Sequence, residues 1–350
     1  MAQFSSQSRA RRQQAEVVFP KESDFAQPCD PELEEQDEEE FVPPADRLVV
    51  PADVVALRED DDSVFIIGTV GLKVTRIQGM EHMRCLKSLV LRSCLVSSLE
   101  GVESLTTLEK LEVYDTQLLR ISSLENLRQL RVLDISYNSI RELVDLSSCP
   151  LLTELYVAQN KLRRIEGLRG LSQLRVLDLG ANRIKEMEGL EDLVSLQSLW
   201  LGKNKIEVIR GLENKPKLRQ LDVQTNRLTA ISGIEALEAL EELYLAHNAI
   251  ETPDGLPVND CLSTVDLSSN RIRTLEGIDR VTSLEDLWLS SSLIESFAAL
   301  LPLTRLPQLS CLYLEHSPIA RDFEYRMRIT SMLPSLKQLD ATEVNRSKLA

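Results

Sequence analysis

The chain has 350 residues, of which 43% are hydrophobic, and a formal net charge of −15 at pH 7. Eleven acidic residues and no basic residue occur between Lys21 and Arg47, which leaves a net charge of −4 for the rest of the chain. Because proteins bind phosphate backbones through clustered Lys and Arg, this balance argues against a nucleic-acid partner. No apolar run approaches the roughly 18 residues of a membrane span, so we expect no membrane partner.

The first 62 residues are predicted to be a disordered acidic tail. They mix Gln, Ser, Pro and acids with few apolar side chains, and such a segment cannot bury enough surface to offset its ordering entropy. The first residues lack the apolar core of a signal peptide. The six cysteines are scattered rather than clustered, which favours reduced thiols and an intracellular protein.

A repeat of 22 residues begins at Val64 and carries the pattern LxxLxLxxNxI. It is clearest where one set of positions recurs one unit later: Leu177, Leu179, Asn182 and Ile184, then Leu199, Leu201, Asn204 and Ile206. This period is the signature of a leucine-rich-repeat solenoid. We therefore predict an α/β leucine-rich-repeat solenoid of about twelve repeats over residues 63–324, including one 25-residue unit, Leu284–Gln308. Short strands should form a concave parallel sheet, and the short return paths should be 3₁₀ or extended.

Seven consecutive repeats carry asparagine at the ninth position: Asn138, Asn160, Asn182, Asn204, Asn226, Asn248 and Asn270. An inward amide can pair with backbone groups of adjacent coils, so we predict a structural role for these residues. The apolar spacing of residues 325–344 predicts a C-terminal cap of a helix and a strand, followed by a short tail, residues 345–350.

Catalytic chemistry has little support in the sequence. His82, His247 and His316 are isolated, no Cys/His spacing suggests a metal site, and no glycine-rich phosphate loop occurs. We therefore predict a protein that is not an enzyme, with no cofactor and no metal.

The outward strand position between the two inner leucines shows an unusual alternation of acids and aromatics. Coil by coil it holds Val90, Glu112, Asp134, Tyr156, Asp178, Trp200, Asp222, Tyr244, Asp266, Trp288 and Tyr313. Packing against the core does not explain large aromatics at positions that face away from it. Aromatic anchors interleaved with charges are typical of protein-binding surfaces, so we predict a partner-binding stripe here.

Several segments resemble the leucine-rich-repeat regulatory subunit of protein phosphatase type 1, the regulatory subunit 7 family. They are LDISYNSI, LDLGANRI, LWLGKNKI, NRLTAISGIEALEALEELYLAHNAIE and YRMRITSMLPSLKQLDATEV, and the resemblance covers about residues 64–344. It implies a non-enzymatic protein, monomeric by itself, in the cytoplasm and nucleus, that holds the phosphatase catalytic subunit on its concave face. A third, inhibitory protein in the same complex is part of this expectation.

The resemblance also implies which residues touch the phosphatase: Asp134, Tyr156, Asp178, Trp200, Asp266, Asp286, Trp288 and Tyr313. Tyr156 and Trp200 stand where the family often has phenylalanine, and Asp178 and Asp286 where it often has glutamate. These differences keep the chemical character but alter the reach of each side chain, which bears on affinity.

Two other classes of repeat protein are alternatives. A scaffold that sits on a spliceosomal RNA-binding protein shares short repeats and a similar cap but usually has far fewer units. A repeat-bearing ubiquitin ligase would need a further catalytic domain, and only residues 345–350 follow the predicted cap. We therefore expect a scaffold that regulates protein phosphatase type 1, with the spliceosomal scaffold as the alternative.

Overall fold

The structure, a computed structural model, describes residues 49–70 and 73–344. These residues contain fourteen strands in one sheet, and the strand order follows the chain order. The strands are β1 (Ser63–Ile67), β2 (Ser88–Arg92), β3 (Lys110–Tyr114), β4 (Val132–Asp134), β5 (Glu154–Tyr156), β6 (Val176–Asp178), β7 (Ser198–Trp200), β8 (Gln220–Asp222), β9 (Glu242–Tyr244), β10 (Thr264–Asp266), β11 (Asp286–Trp288), β12 (Cys311–Tyr313), β13 (Gln338–Leu339) and β14 (Thr342–Glu343). Neighbouring strands are parallel except β13 and β14.

The repeated leucines account for this arrangement. In each three-residue strand from β4 to β12 the middle residue is buried and its two neighbours are half-buried. Leu177 pairs in register with Leu199, and both are completely buried. Because each coil places the same apolar positions over those of the last coil, one continuous core runs through the array. The prediction of a parallel leucine-rich-repeat solenoid is confirmed.

The return paths are short, as predicted. Between β2 and β12 the described coils contain 3₁₀ segments at Val102–Ser104, Ile278–Arg280 and Phe297–Arg305, and otherwise turns and extended chain. The 25-residue unit contains the longest of these segments, nine residues. A 22-residue coil that also holds a strand and two turns leaves too little chain for a full α-helix.

The asparagines perform the predicted structural role. The Asn204 amide oxygen accepts the N–H of Ile184 from the preceding coil at 3.0 Å. Its Nδ2 donates to the carbonyls of Leu179 and Leu201, each at 3.0 Å. The equivalent three bonds recur at the other six asparagines. Each amide therefore joins two neighbouring coils.

Residues 49–62, which the sequence placed in the acidic tail, carry structure. Val49 is buried, its N–H donates to Thr75 Oγ1 at 3.0 Å, and its carbonyl accepts the Thr75 N–H at 2.8 Å. The helix α1, Pro51–Val54, follows, and Leu57 packs against the core. Several apolar residues in this stretch cover the first coil. The acidic composition of the first 62 residues gave no indication of this role. The rest of the predicted tail, residues 1–48, and residues 345–350 lie outside the described residues.

At the other end, helix α2 (Tyr325–Met332) and strand β13 complete the array. The Tyr325 hydroxyl donates to Asp340 Oδ2 at 3.0 Å, and Asp340 Oδ1 accepts the Leu314 N–H at 2.8 Å. Asp340 thus satisfies the strand end of the last coil, as the asparagines do elsewhere. Ile329 of α2 is completely buried, so the helix packs onto the core as a cap. In the described part of the chain, the helices are all too short or too polar to cross a membrane.

The asparagine bonds can be tested with Asn204→Ala. The substitution leaves the Ile184 N–H and two buried carbonyls without their amide partner, so we expect the free energy of unfolding to fall by about 1–3 kcal/mol. Chemical denaturation followed by circular dichroism measures this. Val208→Ala on the same coil, where the side chain is 55% exposed, is the control and should change stability by less than about 0.5 kcal/mol. Equal stability of Asn204→Ala and the wild type would contradict the structural role.

Candidate protein-binding face

The predicted stripe lies along one line on the outer side of the sheet, which we call the sheet face. Its residues from coil to coil are the last residues of strands β4 to β12, and they pair in register along the sheet: Asp134, Tyr156, Asp178, Trp200, Asp222, Tyr244, Asp266, Trp288 and Tyr313. Asp286, the remaining predicted residue, is the first residue of β11 and pairs with Cys311. All ten side chains are half-buried. The structure therefore brings these ten predicted residues onto one face.

Each aspartate of the line is held by its own strand end. Oδ1 of Asp178 accepts the Gly180 N–H at 2.8 Å, and Oδ1 of Asp222 accepts the Gln224 N–H at 2.8 Å. Asp134 and Asp266 bond in the same way to the N–H two residues later, at 3.0 and 2.8 Å. These bonds fix one oxygen of each carboxylate and so fix the orientation of the group.

The carboxylates lie in an unfavourable environment for negative charge. Desolvation raises the pKa of Asp178, and the charge of Asp134 two coils away adds to this effect. Desolvation, with a smaller contribution from the charges of Asp178 and Asp266, raises the pKa of Asp222 to about 6. Among the described residues, neither Asp178 nor Asp222 forms an ion pair with a lysine or arginine. These two positions therefore concentrate partly desolvated negative charge, whereas Arg92 acts on Asp134 and His247 acts on Asp266 to lower their pKa values.

The aromatic side chains pair across the aspartates. The ring centroids of Tyr156 and Trp200 are 6.5 Å apart, although their strands flank the strand of Asp178. Two strand spacings amount to about 9.6 Å, so the two rings lean toward each other over the intervening strand. Such tilted ring contacts are favourable and restrict both side chains.

The same arrangement occurs a second time, four coils later. Tyr244 and Trp288 have ring centroids 6.3 Å apart, and Asp266 lies on the strand between them. Trp288 also meets Tyr313 edge-on at 6.2 Å. The sheet face thus carries two equivalent Tyr–Asp–Trp groups, separated by the coil of Asp222.

The tyrosine hydroxyls are anchored by glutamates on the same strands. Tyr156 donates to Glu154 Oε2 at 3.0 Å, and Tyr244 donates to Glu242 Oε2 at 2.8 Å. Desolvation and these bonds raise the pKa of both tyrosines, so the hydroxyls remain protonated at neutral pH. Sequence reasoning did not single out Glu154 and Glu242. The repeated tripeptide Glu-Leu-Tyr was the signal that could have found them.

The N-terminal coils differ from the predicted outward line. Val90 is 6% exposed and Glu112 is 3% exposed. Glu112 forms ion pairs with Arg92 and with Lys110, the latter at 3.1 Å. Burial raises the pKa of Glu112, but the bonds to Arg92 and Lys110 outweigh it, and the net shift is downward. This acid is neutralised within the chain, unlike those of the later coils.

Other side chains on this end of the face were not predicted. Phe65 lies in register with Val90 and is 55% exposed, and Ile67 of the same strand is also exposed. The rings of Tyr114 and Tyr137 are 4.8 Å apart. The first coils therefore add apolar and aromatic surface to the sheet face. The repeat pattern did not predict this surface because the first repeat is irregular.

No group of three or more His, Cys, Asp or Glu side chains in the described residues is arranged to hold a metal ion. The face carries anchored carboxylates, tyrosine hydroxyls and paired aromatic rings, which are groups typical of protein-binding surfaces.

Comparisons with family models and with solved structures identify leucine-rich repeats in this chain. A family model described as leucine-rich repeat matches residues 210–349, and a second, described as leucine-rich repeats in two copies, matches residues 128–170 and 150–192. A solved leucine-rich-repeat protein of Leptospira interrogans is 20% identical with a TM-score of 0.62, with 76% of each chain covered. The leucine-rich-repeat domain of APL1 is 22% identical with a TM-score of 0.62, covering 80% of this chain and 74% of that one. These structures share the fold.

Two curated relatives have names that match the resemblance noted in the sequence. Protein phosphatase 1 regulatory subunit 7 of Xenopus tropicalis is 42% identical over 50 residues, 14% of this chain and 14% of the relative. Protein phosphatase 1 regulatory subunit pprA of Dictyostelium discoideum is 49% identical over 39 residues, 11% of this chain and 12% of the relative. The matched segments span about one seventh or less of these relatives. They confirm the resemblance over those segments.

The destabilising effect of the Asp222 charge on the folded chain can be tested with Asp222→Asn. A carboxyl with a folded pKa near 6 and an unfolded pKa near 3.9 binds more protons when folded, so wild-type stability falls as pH rises between these values. The amide carries no charge, and its oxygen retains the bond from the Gln224 N–H. Oδ2 of Asp222 also accepts the Gln224 side-chain amide at 2.9 Å, and in the variant Nδ2 can instead donate to the Gln224 side-chain oxygen once that amide turns over. We expect the variant to be more stable than the wild type at pH 7 by about 1 kcal/mol, after allowing for solvent screening. The advantage should disappear by about pH 4.

Thermal unfolding of both proteins from pH 4 to pH 7 measures this difference. Glu238→Gln removes one charge from an exposed position elsewhere and is the control, with no comparable gain. A variant that is less stable than the wild type at pH 7 would show that the Asp222 charge is stabilised by a contact other than those described.

Proposed function

We propose that this leucine-rich-repeat protein is a non-enzymatic regulatory subunit that binds the catalytic subunit of protein phosphatase type 1 through its sheet face. The names of the two curated relatives support the partner. The anchored, partly desolvated carboxylates beside paired aromatic rings support the face. In this proposal the protein controls the activity, maturation or targeting of the phosphatase and performs no chemistry itself.

The proposed binding depends mainly on the carboxylates of the sheet face. Binding a basic partner normally requires that charged groups on both sides lose water, a cost that offsets much of the Coulombic gain. Asp178 and Asp222 already bear part of this cost in the folded chain, as their raised pKa values indicate. A lysine or arginine of the partner that approaches them therefore meets an oriented and partly desolvated anion. Electrostatic complementarity of this kind also gives specificity and a fast association rate.

The aromatic rings supply the apolar part of the interface. Tyrosine and tryptophan dominate binding energies because they bury large areas at small entropic cost. Here the rings already restrict one another, since Trp288 contacts both Tyr244 and Tyr313. The two equivalent Tyr–Asp–Trp groups, centred on Asp178 and Asp266, lie about 19 Å apart at four strand spacings. The partner is therefore expected to present two basic-and-apolar contact regions at this separation.

We also propose that the protein resides in the cytoplasm and the nucleus. The five cysteines in the described residues, Cys85, Cys94, Cys149, Cys261 and Cys311, are free thiols, which is typical of proteins in a reducing compartment.

The test is isothermal titration of the full chain with the purified phosphatase catalytic subunit. We expect one-to-one binding that Trp288→Ala weakens by about 2–4 kcal/mol, because this tryptophan is the central ring of its cluster. The double variant Trp288→Ala/Tyr313→Ala should lose detectable binding. Circular dichroism confirms that each variant is folded.

Phe323→Ala is the matched control, because this ring is 96% exposed and lies outside the sheet face; its affinity should equal that of the wild type. Absence of binding by the folded wild-type chain would refute the phosphatase as partner. Unchanged affinity of the double variant would refute the sheet face as the site while leaving the partner in place.

A further inference from the structure

The sheet begins with a strand whose outer side has no neighbouring strand among the described residues. Strand β1 pairs with β2 alone, in parallel. The Gly68 N–H donates to the Arg92 carbonyl at 2.8 Å, and the Asp62 carbonyl accepts the Lys87 N–H at 2.8 Å. Because alternate residues of a strand direct their backbone groups to opposite sides, the even-numbered residues of β1 bond to β2 and the odd-numbered ones face away from it.

Three residues of β1 therefore form what we call the free edge: Ser63, Phe65 and Ile67. Each presents one N–H and one carbonyl, and in the described part of the chain none of these groups has a backbone partner. All three residues are exposed, and their side chains lie on the sheet face. A row of unpaired backbone groups beside exposed apolar side chains is a surface on which another strand can pair.

The segment before β1 covers the core of the first coil and not the free edge. Val49 bonds to Thr75, which lies in the return path after β1. Three later residues of this segment pack against the apolar interior: Val54, Val55 and Leu57. The inward side chains of β1 are accordingly buried. The backbone of the free edge gains no partner from these contacts.

The opposite end of the sheet is closed. There β12 is followed by β13 and by the antiparallel β14, each only two residues long. The Arg326 guanidinium donates to the carbonyls of Leu339, Thr342 and Glu343 at 3.1, 3.0 and 2.8 Å. Very short edge strands and charged side chains at an edge hinder the addition of another strand. The five residues of β1 have neither protection.

A strand added at the free edge would meet negative charge at one end. Four consecutive acids lead into β1: Glu59, Asp60, Asp61 and Asp62. Oδ2 of Asp61 accepts the Arg58 N–H at 2.9 Å. Among the described residues, none of the four carboxylates forms an ion pair with a lysine or arginine. Basic side chains of a partner would therefore be attracted to this end of β1.

We propose that the free edge binds an extended segment of a partner protein, antiparallel to β1, with apolar residues at alternate positions and basic residues at its C-terminal end. Antiparallel strands pair more stably than parallel strands. In this orientation the C-terminal end of the segment reaches Asp60 and Asp62, and its apolar side chains lie beside Phe65 and Ile67. Backbone bonds provide affinity and alternate side chains provide specificity. About eight residues cover this length of strand.

The charge of the chain disfavours a second copy of itself as the occupant. Its net charge is −15, and a net charge far from zero keeps proteins monomeric through mutual repulsion. A partner segment with basic residues instead gains attraction from the acids before β1. The free edge also lies three strands from Asp134, the first phosphatase contact that we propose, so this site does not depend on the proposed function.

The experiment uses the full chain and a fluorescent peptide of about ten residues. The peptide has three valines at alternate positions, threonines between them and two lysines at its C-terminal end. In the antiparallel arrangement the valine N–H groups face β1 and the threonine N–H groups face solvent. Fluorescence anisotropy should show that N-methylation of the valines weakens binding by about tenfold or more. N-methylation of the threonines should change the affinity by less than about threefold.

Two substitutions of one residue separate the backbone bond from the side chain. Ile67→Pro removes an N–H from the free edge, whereas Ile67→Ala shortens the side chain and keeps the N–H. Proline is tolerated in an edge strand where its nitrogen faces solvent. We expect Ile67→Pro to bind the peptide about fivefold more weakly than Ile67→Ala, which is the equivalent of one backbone hydrogen bond.

A charge reversal tests the acids without altering the strand. Asp60→Lys/Asp62→Lys should weaken binding of the peptide by about tenfold or more, through lost attraction and new repulsion. Glu251→Lys/Glu276→Lys changes the net charge equally at exposed positions of later coils and should retain the affinity within about threefold. Thermal unfolding confirms that every variant is folded.

Absence of peptide binding by the folded wild type, or equal affinity of the two N-methylated peptides, would overturn the proposal. Tighter binding of the valine-methylated peptide than of the threonine-methylated one would overturn the antiparallel orientation. Equal loss of binding in the two charge variants would reduce the effect of the acids to net charge. A dimer of the full chain in sedimentation velocity that Ile67→Lys abolishes would assign the free edge to a second copy. All these measurements omit the phosphatase, so their failure leaves the proposed function untouched.

Discussion

The architecture depends on one repeated hydrogen-bonding group, the asparagine amide that closes each strand end. The residue before each asparagine adopts a left-handed backbone conformation, with φ between 51° and 58° from Tyr137 to Ser269. None of these residues is glycine, so each coil carries a conformational cost of about 1–2 kcal/mol. The amide offsets that cost by accepting one N–H of the preceding coil and by donating to one carbonyl of that coil and one of its own. A sharp turn at the same place in every coil keeps the strands in register.

That register explains why the sheet face works as a unit. With one residue per coil on each line, side chains that are 44 positions apart in sequence, such as Tyr156 and Trp200, come within ring contact. A slip of one residue in any coil would turn a buried leucine outward and an aspartate inward. The stacking that satisfies backbone groups therefore also sets the geometry of the proposed binding surface. Stability and the proposed function depend on the same stacking but use different side chains.

The repeat period predicted the features that recur from coil to coil. Contacts between particular side chains could not be predicted from it. Leu177 and Asn182 revealed the repeat, and the repeat located the line of Asp178 and its neighbours. Nothing in the period could show that Tyr156 and Trp200 lean together, because that contact depends on the rotamers of both side chains. Nor could it show that Glu112 is neutralised by Arg92, a residue one coil earlier. Val49 was assigned to the tail because the surrounding acids dominate its composition, whereas its burial depends on contact with the first coil.

The same turn fixes the backbone without using the outward side chains on either side of it. In one coil, Asp178 ends the strand and Arg183 follows five residues later, after the asparagine turn. Neither side chain takes part in the bonds of the Asn182 amide or in the leucine core. A solenoid can therefore carry a line of chosen side chains over many coils, because each coil repeats the backbone of the last and an outward residue can change without disturbing the leucines beneath it.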